Sequence, residues 1–311
     1  LDKDMDKLEE IVEEIISSVG SVGVCEDKFR EYRVFEDNDY RVGAVDGSTS
    51  IVLDCASFIV YLIRVGYEIH GNSDIIERCW GPEIGIISAN NVHEIYTREF
   101  NEKPDTDDLT LIVQRIRELR EWMIARELIR ELDEGDVLLL DGNLTPGIKK
   151  MESFVDDVVN NAIKAGVHLV GISKRSSINH GHVPIVPYIA YIGNKIMKNK
   201  LWYYPLGDYV ETKNGKVYAV RYHPASSIGF RTDIIGDEPA EIFGKIARFS
   251  NHPGYLGYPY PLASIHNRVF IDSSTRQYWR EKLSMRILEK KGENLVNILS
   301  FNFHDILDMG V

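Results

Sequence analysis

The sequence predicts an α/β fold on one mixed sheet, and three observations carry that expectation. Apolar runs of strand type follow one another with short connections over about 41–54, 57–69 and 83–100, the pattern of an antiparallel meander. A strongly periodic stretch, Asp107 to Asp133, then leads into Val137-Leu138-Leu139-Leu140, and a second, about Glu152 to Ala165, leads into His168-Leu169-Val170-Gly171-Ile172. Strand, helix, strand in that order implies right-handed parallel crossovers, so parallel strands join the meander with helices packed against them.

Taken in order, residues 3–19 place Met5, Leu8, Ile11, Val12, Ile15, Ile16 and Val19 at helical spacing with acids on the other face. Phe29 to Asp39 is charged and irregular. The long helix carries Leu111, Ile112, Ile116, Leu119, Met123, Ile124, Leu128 and Leu132 on one side, and its start is acid-rich, as a helix N-terminus prefers. Beyond Ser173, Pro184 and Pro187 interrupt the chain before a helix near Tyr188 to Met197. Asn214-Gly215 predicts a hairpin between Tyr209–Lys213 and Lys216–His223. Helices follow over about 239–249 and 274–290. The tail from Leu295 to Met309 holds Ile298, Leu299, Phe301, Phe303, Ile306 and Leu307, apolar surface that needs a docking place on this chain or another. The expectation is one domain over 1–311, its core at about 40–290, with the helix at 3–19 and the tail at 293–311 as dimer or partner elements. The order of elements is that of the ribonuclease H-like fold.

With 311 residues the chain is long enough for one large core. It has no apolar run of the ~18 residues a membrane span needs, and no cationic start followed by an apolar block, so a soluble, cytoplasmic protein is expected. Cys25, Cys55 and Cys79 lie far apart without a Cys-x-x-Cys pair, which points away from a disulfide framework or a zinc cluster. The formal charge of −12 argues, taken whole, against a nucleic-acid binder. Its distribution does not: residues 1–140 hold 15 Lys+Arg and 32 Asp+Glu, whereas residues 141–290 hold 20 and 13. The middle of the chain can line a positive surface able to meet a phosphate backbone.

Two stretches carry the chemistry. Ala44-Val45-Asp46-Gly47-Ser48 and Leu139-Leu140-Asp141-Gly142-Asn143 each run an apolar strand into Asp-Gly. If the strands are neighbours, two carboxylates meet at one sheet edge above a dry core, costly to ionise without a cation. Each Asp-Gly is also an ordinary turn pair. Glu121 on the long helix, with Glu127 as the alternative, is the candidate third acid, and three carboxylates suit Mg²⁺ or Mn²⁺ rather than Zn²⁺. In Gly257-Tyr258-Pro259-Tyr260-Pro261-Leu262 the prolines stiffen the chain between Tyr258 and His266; a purely structural turn is the plainer reading. Lys174, directly after the fifth strand, can face phosphate or solvent.

These residues resemble the NurA nucleases, archaeal and bacterial enzymes of DNA end resection. The resemblance rests on Ala44–Ser48, the glutamate-bearing helix, Leu139–Leu144, Gly171-Ile172-Ser173-Lys174, and Gly257–Leu262 leading to His266, spanning about 44–266. It implies a ribonuclease H-like fold, a homodimer, Mn²⁺-dependent cleavage of DNA, and the hexameric HerA ATPase as partner. It further implies metal ligation by Asp46, a helix glutamate and Asp141, with Tyr258 and His266 as the C-terminal site residues. The glutamate is Glu121 or Glu127, and the stretch between Asp46 and Asp141 is long for the family. The chemistry expected is two-metal phosphodiester hydrolysis, with Asp46 bridging, His266 as ligand or proton carrier, and Lys174 offsetting charge on the phosphate. Tyr258 would stack on a base or hold a phosphate. Two other classes compete: an ATPase or phosphotransferase on a ribonuclease H-like sheet, which needs a second glycine-rich phosphate loop, and a non-catalytic adapter of a DNA motor.

Overall fold

The computed structural model describes residues 2–37, 39–72, 74–101, 103–147 and 151–291. In chain order the elements are α1 (Asp2–Ser21), β1 (Arg30–Tyr32), β2 (Val42–Asp54), β3 (Phe58–His70), β4 (Ile75–Ser88), α2 (Val92–Phe100), α3 (Leu109–Leu128), β5 (Val137–Asp141), α4 (Glu152–Ala165) and β6 (His168–Ser173). There follow β7 (Asn179–His180), β8 (Val183–Pro184), α5 (Ile185–Ile196), β9 (Leu201–Pro205), β10 (Lys216–Arg221), β11 (Phe230–Ile234), α6 (Pro239–Arg248), α7 (Tyr260–Val269) and α8 (Ser273–Lys291). Nine strands form one sheet in the order β1-β9-β10-β11-β6-β5-β2-β3-β4. The meander β2-β3-β4 is antiparallel, β5 and β6 run parallel to β2, and β11 returns antiparallel to β6. This is the ribonuclease H-like arrangement, extended on one side by β11, β10, β9 and β1.

Alternation along β2 divides the core between the two faces. Val42 and Ala44 face Phe243 and Ile246 of α6 and Leu262 and Ile265 of α7. Val45 faces Leu119, Trp122 and Ala125 of α3 and Val155 and Val158 of α4. Burying such large apolar side chains contributes roughly 1.5 to 3 kcal/mol each, so α3 and α7 are clamped on opposite faces of the same strand.

Several elements differ from the sequence expectation. The third strand begins at Ile75 and ends at Ser88, and Val92–Phe100 is helix rather than strand. Asn91 ends the strand: its Oδ1 accepts from the Ser88 backbone N–H at 2.7 Å. Val92, Ile95 and Tyr96 then bury one helical face. Tyr209–Lys213 is not a strand. The partner of β10 on that side is β9, and Asn214-Gly215 only bends the chain into β10, with Gly215 at φ +75° and no room for a Cβ against the Ile234 carbonyl. Pro187 does not interrupt α5; it occupies the first turn, where its missing N–H costs nothing. The long helix stops at Leu128, inside the expected span. The helix at the N-terminus is present, with Leu8, Ile11, Val12, Ile15 and Ile16 exposed. The tail from Leu295, with Phe301 and Phe303, lies outside the described residues.

Candidate metal-dependent active site

The parallel register of β2 and β5 brings the two Asp-Gly pairs together, although only Asp141-Gly142 ends its strand: Asp46-Gly47 lies within β2, which stays paired with β3 as far as Asp54. Val45 pairs with Leu140, so Asp46 and Asp141 stand one step beyond, at the same edge. After Asp141 the chain crosses over Gly171 of β6, where a Cβ would lie 2.7 Å from the Gly142 carbonyl. A buried ion pair on β11 holds this crossing: Arg231 Nε and Nη2 donate to Asp233 at 2.8 and 2.9 Å, and the Leu144 N–H points at Asp233 Oδ2 at 3.4 Å. Asp233→Ala leaves the Arg231 guanidinium buried and uncompensated. A loss of about 3 to 5 kcal/mol in urea-unfolding free energy is expected, and a loss under about 1 kcal/mol would show that the pair is solvated.

His266 arrives from the opposite side of the chain. Pro259 and Pro261 open α7, where their fixed φ suits the first turn. Gly66, paired with Asp46 across the β2–β3 ladder, lets Ile265 approach, since a Cβ there would meet the Ile265 side chain at 3.1 Å. The helix is fastened by Glu68, a fully buried carboxylate that accepts from Ser264 Oγ at 2.9 Å and from Arg268 Nε, with His70 Nε2 at 2.8 Å. His266 Nδ1 then lies 2.8 Å from Asp46 Oδ2.

Asp46, Asp141 and His266 each offer a donor atom, and the three lie within 4.8 Å of one another. Asp46 is 3% exposed and its other oxygen accepts from the Gly47 N–H at 2.7 Å. Burial pushes the Asp141 carboxyl up, the charge of Asp46 adds to this, and Lys174, with Nζ 2.7 Å from Asp141 Oδ2, offsets it. Glu121 comes from α3 beside Gly47 and lies outside that three-residue set. It is 9% exposed, and burial raises its pKa to about 8 despite the Arg117 guanidinium hydrogen-bonded to it; the Asp46 charge pushes the same way. Glu127 is exposed and pairs with Arg130 at 3.2 Å, away from the edge. Tyr258 packs on Phe230 with Lys174 Nζ 5.4 Å from its ring centre. Its hydroxyl is buried without a hydrogen-bond partner among the described residues, and burial together with Asp141 and Asp46 holds its ionisation far above the usual phenol range.

Sequence reasoning missed Arg117 and Glu118, which line a cavity of about 220 Å³ together with Glu121, Asp141, Asn143 and Thr145. Both lie on the face of α3 that carries Glu121, so helical spacing from Glu121 would have found them. Burial raises the Glu118 carboxyl, offset by the Gly147 N–H at 2.8 Å. The donor set of two carboxylates and one imidazole, with Asp46 buried and Asp141 and His266 partly exposed, fits a divalent metal ion.

Residues 40–180 match the model of the NurA domain. No curated protein is significantly similar to the chain. Among solved structures, the NurA nuclease from Sulfolobus solfataricus is 18% identical, with a TM-score of 0.59 over 94% of this chain and 99% of that one. A NurA crystal structure is 11% identical with a TM-score of 0.61, covering 94% and 99%. One of NurA with manganese is 11% identical with a TM-score of 0.59, covering 93% and 99%. The match to the domain model spans the sheet edge that bears Asp46 and Asp141, so residues 40–180 carry a NurA domain, and the fold of the NurA structures extends over nearly the whole length.

Proposed function

We propose that the chain is a metal-dependent deoxyribonuclease in which Asp46, Asp141 and His266 hold the cation and Glu121 completes its shell. The observation that carries this reading is the convergence of three oxygen and nitrogen donors from β2, β5 and α7 within 4.8 Å. Mn²⁺ is the first candidate and Mg²⁺ the second, with two ions the expected number; such ions activate water and stabilise the departing oxygen in phosphodiester hydrolysis. The chain's own residues do the remainder. Lys174, beside Asp141, supplies positive charge next to the reacting phosphate, and the cationic stretch 141–290 draws in the backbone whatever its sequence. Tyr258, with its buried hydroxyl under the charges of Asp141 and Asp46, packs beside Lys174 at the same edge.

The finer reading is a 5′–3′ exonuclease and single-strand endonuclease in DNA end resection, a homodimer working with a hexameric HerA ATPase in the cytoplasm, near the nucleoid. The apolar face of α1, exposed among the described residues, supports an assembly role, and no described helix is long and apolar enough to cross a membrane. An ATPase reading draws no support from this site, and an adapter would not need the acidic cluster.

The test is calorimetric titration of the full chain with MnCl₂ alongside cleavage of a labelled oligonucleotide. Binding and cleavage should both require Asp46. Cleavage undiminished in EDTA, or no Mn²⁺ affinity in the folded protein, would overturn the reading.

A further inference from the structure

The acids of this edge do not stand without partners. Lys174 sits on Asp141, His266 on Asp46, and Arg117 on Glu121. The first two approach from other elements, whereas Arg117 shares α3 with its partner. Two features separate that pair from an ordinary helix-surface contact. The arginine precedes the glutamate by four residues, the weaker orientation for stabilising a helix. The pair is also pressed beneath the Asp46 strand: a Cβ at Gly47 would lie 2.6 Å from Glu121 Oε1 and 3.0 Å from Arg117 Cγ. Arg117 nevertheless lines the cavity shared with Asp141, Asn143 and Thr145, and about a quarter of its side chain (28%) remains exposed.

We propose that Arg117 is the resident cation of the acidic site: it competes with the divalent ion for Glu121, to which it is hydrogen-bonded, and for the charge of Asp46, and its guanidinium turns to the phosphodiester when that ion is bound. The inference rests on the nuclease reading. A fixed positive charge beside two carboxylates opposes entry of a second cation. Once metal neutralises the acids, the guanidinium has lost its partner but remains tethered to a rigid helix at the mouth of the cavity. A planar fork of donors then matches the non-bridging oxygens of a phosphate. One group would thus hold the metal-free site together and later bind substrate.

The consequences for metal affinity and for turnover have opposite signs, which a merely structural ion pair does not produce. Removing a positive neighbour strengthens binding of a divalent ion more than binding of the proton that competes for the same carboxylate, because the ion carries twice the charge. In Arg117→Met the Mn²⁺ dissociation constant, measured by calorimetry on the full chain without DNA, should fall by about threefold or more. Turnover of an oligonucleotide at saturating Mn²⁺ should fall by about tenfold or more. Arg117→Lys should keep Mn²⁺ affinity near that of the parent and recover part of the turnover. Arg117→Gln, which retains hydrogen bonding without charge, should reproduce the affinity gain if the methionine variant does not fold. Unchanged or weakened Mn²⁺ affinity in a folded, uncharged variant overturns the proposal, as does unchanged turnover. A parent protein that neither binds Mn²⁺ nor cleaves DNA brings down the nuclease reading itself, whereas an active parent with flat Arg117 variants brings down only the role of Arg117.

Discussion

Replacing Asp46 by Asn is expected to abolish metal-dependent DNA cleavage while the protein stays folded, and Asp141→Asn is expected to do the same. Each removes one ligand charge without changing volume. In Asp46→Asn the amide oxygen can still accept from the Gly47 N–H, and the amide nitrogen can face His266 Nδ1. The local scaffold therefore survives, and the charge is what disappears. Cleavage should fall by at least about a hundredfold, since more than about 2.7 kcal/mol of transition-state stabilisation is lost. The melting temperature of the metal-free protein should hold or rise, because the Asp46 charge works against both Asp141 and Glu121. Activity above a few per cent of the parent in either variant, with folding shown by circular dichroism, sinks the assignment of these residues as ligands.

The approach of Asp46 to Asp141 was legible because two independent signals coincide there: an apolar run long enough for a buried strand, and an Asp-Gly pair after it, even though β2 does not stop at Asp46 but runs on to Asp54. That the two strands are neighbours was only a condition in the sequence, and the parallel pairing of β2 with β5 meets it. The bearing of His266 on Asp46 was legible only through the resemblance, since 220 residues separate them. What the sequence concealed has identifiable causes. β11 reads Phe-Arg-Thr-Asp-Ile, and its charged residues point to a surface segment; in the fold every residue is buried because Arg231 and Asp233 neutralise one another along the strand. β4 carries Glu77, Arg78, Trp80 and Glu83 on an exposed edge, so it lacks the apolar run by which a central strand is recognised. The choice between Glu121 and Glu127 turned on helical phase against a sheet whose position no local pattern specifies. Glu121 shares its face with Arg117, and Glu127 lies on the outer face with Arg130.

Burial of Glu121 also makes the metal-free protein sensitive to alkali. Its pKa in the folded chain is raised from 4.5 to about 8, first by burial and then by the Asp46 and Glu118 charges, against the opposing charge of Arg117. Between those two values the folded state holds a proton that the unfolded chain releases, so the contribution to stability is fully present below about 4.5 and is lost as pH rises through about 8. The loss across that window is on the order of a few kcal/mol. The melting temperature in EDTA should therefore drop from pH 6 to pH 9. Glu121→Gln cannot ionise, keeps the shape and retains an acceptor for Arg117, so its drop over the same interval should be clearly smaller. Mn²⁺ should reverse the effect in the parent chain, because the ion takes the place of the proton: binding tightens toward pH 8, releases protons, and raises the melting temperature most at alkaline pH. Parallel melting curves for the parent and Glu121→Gln across pH 6 to 9 in EDTA would show that Glu121 is ionised in the folded protein throughout, and would remove it from the group of buried acids that a metal must neutralise.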